Sequence, residues 1–350
     1  RRTNMKIKNK IAATALAAVM AMSVTACGNA GSASSAAAEN SAASGKTITV
    51  GVAQLVTHPS LDASLKGFQQ ALTDAGYVEG QNVIYDVQNA QGEQANCVTI
   101  ANTLANKKPD LILAIGTPAA QAVAKVITDT PILITAITDP ADAKLVASNE
   151  KPGGNVSGTS DKTPVKEQLE MLKTLVPELE TVGFLYSSSE TNSKLQIEWA
   201  KAACDELGLK YKDFTASNSN EVQQVTQSMV GKVQGVYIPT DNLMASNMKN
   251  VTSVTSANKL PVVPGAIGMV TDGGTCTVGL NYEKLGYQTG QMAIKVLKGE
   301  AKVGDMPIEY QDQLDVYYNS EAAAKMGMVL PDSITKNGQD ALASAASSQK

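Results

Sequence analysis

A single histidine, His58, occurs among the 350 residues, and it sets the first limit on what chemistry the chain can perform. One histidine cannot make a two-His metal site or a Glu-x-x-His pair, so no metal centre is expected. A Ser-His-Asp triad would have to recruit it, yet no G-x-S-x-G elbow is present. The chain has no G-x-x-x-x-G-K-[ST] phosphate loop, and no G-x-G-x-x-G follows a strand pattern, so no nucleotide cofactor is expected. Beyond Cys27, the cysteines Cys97, Cys204 and Cys276 are odd in number and widely spaced. That excludes a zinc ribbon or a dense disulfide framework; they read as small buried apolar side chains, with one bridge still open. The inventory points away from an enzyme.

What remains is hydrogen-bonding chemistry at six short corners, each following an apolar run of strand type. They are QLVTHPSLD (54–62), IGTPAAQ (115–121), ITDPADA (137–143), YSSSETNS (186–193), IPTDNLM (238–244) and PGAIGM (264–269). Ser, Thr, Asn, Asp, Gln and Gly dominate, and Lys and Arg are absent from all six. Hydroxyls and free backbone N–H groups at a helix start bind a carboxylate without a basic side chain, which suits a small neutral or zwitterionic ligand. In IGTPAAQ, Gly116 admits a close backbone approach, Thr117 suits a cap and Pro118 the first helical position. Ser187, Ser188 and Asn192 offer the same chemistry in YSSSETNS. The same residue types are also good helix caps, so each corner taken singly serves either purpose. Asp139 and Asp241 hold comparable places in ITDP and PTDN, and a ligand ammonium wants a carboxylate. Asp241 is the preferred partner, and Asp139 reads first as a cap. His58 either stacks on or hydrogen-bonds a ligand, or is a partly exposed loop residue.

The elements that must position these corners repeat. TITVGVAQ, SLDASLKGFQQALTDAG, NVIYDVQ, GEQANCVTIANTLANK, DLILAIG, PAAQAVAKVI and PILITAI form one series. TVGFLYS, NSKLQIEWAKAACDELG, KYKDFTA, NEVQQVTQSMVGK, GVYIP, NLMASNMKNVTSVTSAN and PVVPGAI follow in the same order, about 130 residues later. Strands alternating with amphipathic helices imply α/β lobes with doubly wound parallel sheets, whose carboxyl edges carry the ligand. Gly76 and Gly208 stand where C-cap glycines end the first helix of each series. GGNVSG (153–158) follows Lys-Pro and reads as a turn. The polar, small residues from about Lys336 are expected to fray, with 335–350 a disordered tail.

The N-terminus has the pattern of an export signal. Five basic residues precede a 14-residue apolar run, Ile11 to Val24, too short for a comfortable bilayer span. VTAC then leads to Cys27, as in a bacterial lipobox, where that cysteine is lipidated. Residues 1–27 read as a lipoprotein signal peptide, and the Ala-, Ser- and Gly-rich residues 28–46 as a flexible tether. Without the signal, 24 basic face 33 acidic side chains, a net −9 that argues against nucleic acid.

The lipobox, PILITAITDP, KPGGNVSG, QLEMLKTLVPELETVGFLYSSSETNS, VYIPTDN and TVGLNYEKLGYQTGQMAIKVLKG together resemble one family. It is the ABC-transporter substrate-binding lipoproteins of the tryptophan/tyrosine-binding type, over about Thr47 to Leu330. The resemblance implies a type I periplasmic-binding-protein fold with a three-strand hinge near 158–164, 279–282 and 303–308. It implies one lobe from 47–160 plus 283–303 and another from 164–280 plus 308–331. A monomer anchored outside the membrane through Cys27 would close on an amino acid and dock on an ABC permease. Transferred to this chain, the expected ligand contacts are Gln54, Gly116, Thr117, Thr138, Asp139, Ser187, Ser188, Asn192, Asp241 and Asn242, with His58 and Gly265 beside them. The corners offer the apolar walls Leu55, Val56, Leu61, Leu243, Ile267 and Met269 but no Phe or Trp; Phe68, Phe184 and Trp199 read as core. Such walls accept Leu, Ile or Phe as readily as Trp, so the particular amino acid stays open. A sensor of the same fold, or a binder of another neutral solute such as a nucleoside, are the alternatives.

Overall fold

The computed structural model describes residues 47–343; Cys27, the signal and the tether lie outside the described residues. The first sheet is built from β1 (Ile48–Gln54), β2 (Val83–Asn89), β3 (Leu111–Ile115), β4 (Ile132–Ile137) and β5 (Val156–Ser160), in the parallel order β2-β1-β3-β4-β5. Helices α1 (Pro59–Asp74), α2 (Gln94–Lys107) and α3 (Thr117–Val126) connect its strands. LILAI and ILITAI are buried along their whole length, as strands covered by helices on both faces must be.

After α4 (Val165–Leu175) comes the second sheet: β6 (Thr181–Ser187), β7 (Lys210–Ala216), β8 (Gly235–Ile238) and β9 (Val262–Pro264), in the parallel order β7-β6-β8-β9. Between them run α5 (Thr191–Leu207), α6 (Ser219–Gln227), α7 (Asn242–Ser246) and α8 (Met248–Ala257), followed by α9 (Ile267–Thr271). The pattern 242–258 reads as one helix but is two, broken at Asn247, whose φ of −115° and ψ of 16° leave the helical region. Its amide donates to Leu243 O at 2.9 Å and Ser219 Oγ at 3.1 Å, competing with the helical ladder.

GGNVSG is a turn only in its first half. Gly153 turns with φ +77°, but Val156–Ser160 is a strand on the outer edge of β4. The register between β4 and β5 shifts from Ile134 to Ile137, and Ala136 within that bulge has φ +56°. Gly158 is required there, since a Cβ on it would lie 2.0 Å from Ile134 O. A non-glycine residue held at positive φ in a strand is a costly conformation of the kind that collects at functional sites.

The chain then crosses and recrosses. β10 (Cys276–Gly279) precedes α10 (Tyr282–Leu297), which returns to lie against α1. Three glycines allow that approach: a Cβ would fall 1.9 Å from Glu283 O at Gly67, 1.9 Å from Ser64 O at Gly286 and 2.6 Å from the Ala71 Cβ at Gly290. The last stretch forms β11 (Asp315–Tyr318), α11 (Ser320–Met326), α12 (Asp332–Thr335) and β12 (Gly338–Asp340). β11 pairs antiparallel with β10 and parallel with β12. The expected disordered tail therefore needs correcting at its start. β12 occupies the free edge of β11, and Ala341 is buried against Val270 and Tyr317.

Three crossings join the lobes, at 161–164, 280–281 and 306–311, and they are bonded side by side. Glu309 N donates to Gly158 O and Ser160 N to Glu309 O, both at 2.9 Å. Gln311 donates to Asn281 O at 2.7 Å and accepts from Asn281 N at 3.2 Å. Phe68 and Phe184 are core, whereas Trp199 is partly buried with the Lys162 ammonium 4.9 Å from its ring centre. Cys97, Cys204 and Cys276 are buried free thiols.

Candidate functional site

The corners of both sheets meet across a cleft. His58, at the start of α1, places Nε2 3.2 Å from Asn242 Oδ1 at the start of α7. Thr138, past the end of β4, sits 3.2 Å from Thr240 Oγ1, and Gln196 of α5 donates to Thr138 Oγ1 at 3.1 Å and Thr240 Oγ1 at 2.7 Å. Gly268 of α9 lies so near α1 that a Cβ would come within 2.7 Å of Ser60 Oγ. The two lobes are thus in direct contact.

Behind these contacts is an inner chamber lined by His58, Leu61, Ala136, Asp161, Thr240, Asp241, Asn242, Ala245, Ala266, Met269 and Tyr282. Its space for the centre of a water molecule is only ≈ 10 Å³, room for about one water. Toward solvent an outer chamber of ≈ 380 Å³ opens between Leu55, Val56, Gln91–Ala95 and Pro118 on one side and Ser189, Glu190, Ser217–Ser219, Asn242, Leu243, Ser246 and Asn247 on the other. Asn242 lines both.

The carboxylates divide sharply by what their oxygens already hold. Asp241 accepts from Ser187 N at 2.6 Å, Ser193 Oγ at 2.7 Å and Met244 N at 2.8 Å. Both its oxygens are engaged in joining β6, α5 and α7, and Oδ1 caps α7, so Asp241 is less free to meet an ammonium than the sequence suggests, although it lines the inner chamber. Asp139 likewise accepts from the N–H groups of Ala141 and Asp142 and from Asn149 Nδ2, all at 3.1 Å, and lines neither chamber. Glu190 accepts from Asn242 Nδ2 at 2.5 Å, Leu243 N at 3.0 Å, Asn192 Nδ2 at 3.2 Å and Asn242 N at 3.3 Å. Burial, and then the nearby Asp241, raise its pKa.

Asp161 differs. It stands on the first crossing, one residue beyond β5, and is 3% exposed. Its Oδ2 accepts from the Tyr282 hydroxyl at 2.8 Å, while Oδ1 is buried with no hydrogen bond within 3.5 Å, although the Thr138 hydroxyl lies near enough to the carboxyl to favour its ionised form. Burial pushes its carboxyl up to about 6. His58 Nδ1, in the same chamber, is also buried and unpartnered, and burial holds the imidazole down to about 4. Two buried polar atoms without a hydrogen bond, Asp161 Oδ1 and His58 Nδ1, belong to residues lining one chamber, and such atoms ask for a ligand or water to complete them.

The remaining expected residues fall into place around this. Thr117 is buried at the start of α3, and Gly116 has φ +91°, with Leu55 Cβ 3.1 Å from where its own Cβ would be. Gln54 turns inward, its amide donating to Asp62 Oδ1 at 2.6 Å and Val56 O at 3.0 Å. Ser187 N donates to Asp241 while its hydroxyl bonds Ser189 Oγ at 2.9 Å, Ser188 Oγ donates to Ala216 O at 3.4 Å, and it is Ser189 that lines the outer chamber. Asn192 donates to Thr240 O at 3.0 Å and leaves Oδ1 unpartnered. Gly265 lets its strand approach Thr240 N, to 2.6 Å from an added Cβ, and lines neither chamber. Asp161, Glu190, Gln196, Thr240 and Tyr282 were not among the expected residues. Tyr282 also supplies the aromatic wall that the corners lack.

Comparison with known proteins identifies the family and the fold. Residues 49–341 match the family model for ABC transporter substrate binding proteins. The chain is 43% identical over 81% of its length to a tyrosine-binding protein of Clostridioides difficile (strain R20291), covering 82% of that protein. It superposes on the ABC domain from Streptococcus pneumonia in complex with L-Trp with a TM-score of 0.81 at 39% identity, covering 84% of this chain and 99% of that one. A substrate-binding protein with adhesive properties from Clostridium difficile, in its ligand-free, open form, is 44% identical over the same shares but superposes with a TM-score of only 0.64. The chain belongs to the ABC transporter substrate-binding proteins, and its fold is the two-lobed type I periplasmic-binding-protein fold.

Proposed function

We propose that this protein is the extracytoplasmic receptor of an ABC importer and captures an aromatic amino acid between its lobes, with the ligand ammonium held by Asp161. The observation that carries the reading is the buried, unpartnered Asp161 Oδ1 facing a chamber with no Lys or Arg in its lining. A carboxylate removed from water is costly unless a cation completes it, and an ammonium does so with a charge-assisted hydrogen bond. Leu61, Met269 and Tyr282 within, and Leu55, Val56, Pro118 and Leu243 further out, supply apolar walls for a ring. The N-terminus of α3, opened by Gly116 and Thr117, supplies a positive pole for the carboxylate. The tyrosine and tryptophan bound by the two relatives support the aromatic class.

Entry requires the lobes to part, because the inner chamber as it stands admits little more than a water. Closure then re-forms the contacts of His58, Thr138 and Gln196 over the ligand. The closer superposition on the tryptophan complex than on a more identical open form supports this motion. The basic, apolar and VTAC segments support a lipid anchor at Cys27, with an ABC permease as the membrane partner. Among the described residues no helix is long and apolar enough to cross a membrane.

A thermal-shift screen of the twenty amino acids, a nucleoside and a sugar tests the class. L-tyrosine, L-tryptophan or L-phenylalanine should raise the melting temperature by several degrees through linkage. A shift with the nucleoside or sugar and with no amino acid would overturn it.

A further inference from the structure

Glu190 lines the outer chamber and not the inner one, yet its surroundings decide how His58 meets a ligand. Four N–H groups converge on its two oxygens, and the shortest is from the Asn242 amide at 2.5 Å. That bond fixes which way the amide lies. Turned over, Asn242 would set its own oxygen against Oε2, which already accepts from Asn192 Nδ2 and Asn242 N; the proton that burial favours on Glu190 then belongs on Oε1, so two acceptors would still face each other. With Nδ2 bound to Glu190, Oδ1 faces His58 Nε2 across the cleft at 3.2 Å. An oxygen there accepts, so Nε2 must carry the proton, and in a neutral imidazole Nδ1 is then bare. Nδ1 is the ring atom left buried without a partner, in the chamber that also holds Asp161 Oδ1.

We propose that Glu190 is a positioning residue which, acting through Asn242, fixes His58 as the Nε2-protonated tautomer, so that Nδ1 serves as a second acceptor for the ligand ammonium. This rests on the reading of Asp161 as the ammonium's counter-charge. Asp161 and Asp241 share the chamber wall with His58 and Tyr282, Asp241 already accepting from Ser187 N, Ser193 Oγ and Met244 N; Asp62, one turn along α1, is bound to Gln54. The arrangement would let the protein tell a primary ammonium, with three donors, from a blocked amine with one. Burial opposes charging of the imidazole and keeps it neutral through the physiological range.

Because the chain has one histidine, long-range ¹H–¹⁵N correlation of the imidazole in untagged, ¹⁵N-labelled protein reads this tautomer without ambiguity. With saturating L-tyrosine, the wild type should show a neutral ring protonated at Nε2 from pH 5 to pH 8. In Glu190→Gln, Asn242 is free to turn, and the proton should be shared between Nε2 and Nδ1 while the Kd for L-tyrosine rises at least tenfold. Asn242→Ala breaks the same relay one step nearer and serves if E190Q does not fold. An Nδ1-protonated or charged ring in the wild type, an unchanged tautomer in the folded variants, or an altered tautomer with unchanged Kd would each overturn the proposal. Calorimetry on the wild type separates the two readings: absent tyrosine binding counts against the ammonium site, whereas the tautomer counts for or against the relay.

Discussion

At Asp161, burial and ligand pull the same carboxyl in opposite directions. Burial raises its pKa from 3.8 to about 6, so between those values the native protein binds a proton that the unfolded chain releases. Its contribution to the stability of the unliganded fold therefore falls as pH rises through this window, by about 3 kcal/mol at most. A ligand ammonium favours the ionised form, so binding expels that proton at low pH. Calorimetry should accordingly find a Kd that is flat above pH 7 and weakens below pH 6, by up to about tenfold per unit. Asp161→Asn should weaken binding at pH 7.5 and abolish the pH dependence; a variant that binds as the wild type does would remove Asp161 from the site. The residue scale was also where the sequence was least readable. Asp241 and Asp139 stand at helix starts, where capping and ligand binding use the same atoms, and only the positions of Ser187, Ser193 and Met244 show that both Asp241 oxygens are already engaged. Asp161 follows a strand hidden within a glycine-rich stretch, on the crossing from β5 to α4 and outside the six corners read from the sequence, so nothing local marked it.

At the scale of elements, alternation was a strong signal where strands are buried on both faces and helices carry one apolar stripe, which is why β1 to β4 and β6 to β9 were legible. β5 and β12 were not, because each completes an edge whose need arises only after the sheet exists. The return of α10 to α1 depends on glycines whose role is visible only as missing atoms. Gly286→Ala would place a methyl carbon 1.9 Å from Ser64 O, a backbone atom that cannot step aside without moving α1. Overpacking of this kind costs about 1–3 kcal/mol. The variant should melt several degrees below the wild type, and because His58 directly precedes α1 it should also bind more weakly. An unchanged melting temperature would mean that α10 does not lie on α1 at this distance.

For the whole molecule, function depends on a small difference between open and closed forms. The hydrogen bonds across the cleft, through His58, Thr138 and Gln196, are each worth about 0.5–1.5 kcal/mol net. Such contacts bias closure by amounts that a ligand's binding energy readily exceeds, so capture can be coupled to closure and release to opening. Three crossings bonded to one another restrain the lobes to a hinge motion, with Asp161 on the first crossing and Tyr282 just past the second. An ammonium held at Asp161, as proposed, would bring the ligand's charge to the hinge itself, where a single bond can bias the whole swing. The most direct test is isothermal calorimetry of L-tyrosine beside N-acetyl-L-tyrosine, which keeps the ring and carboxylate but replaces the ammonium with an amide. The account predicts tight binding of the first and at least a hundredfold weaker binding of the second. Equal affinity for the two would contradict an ammonium held at Asp161.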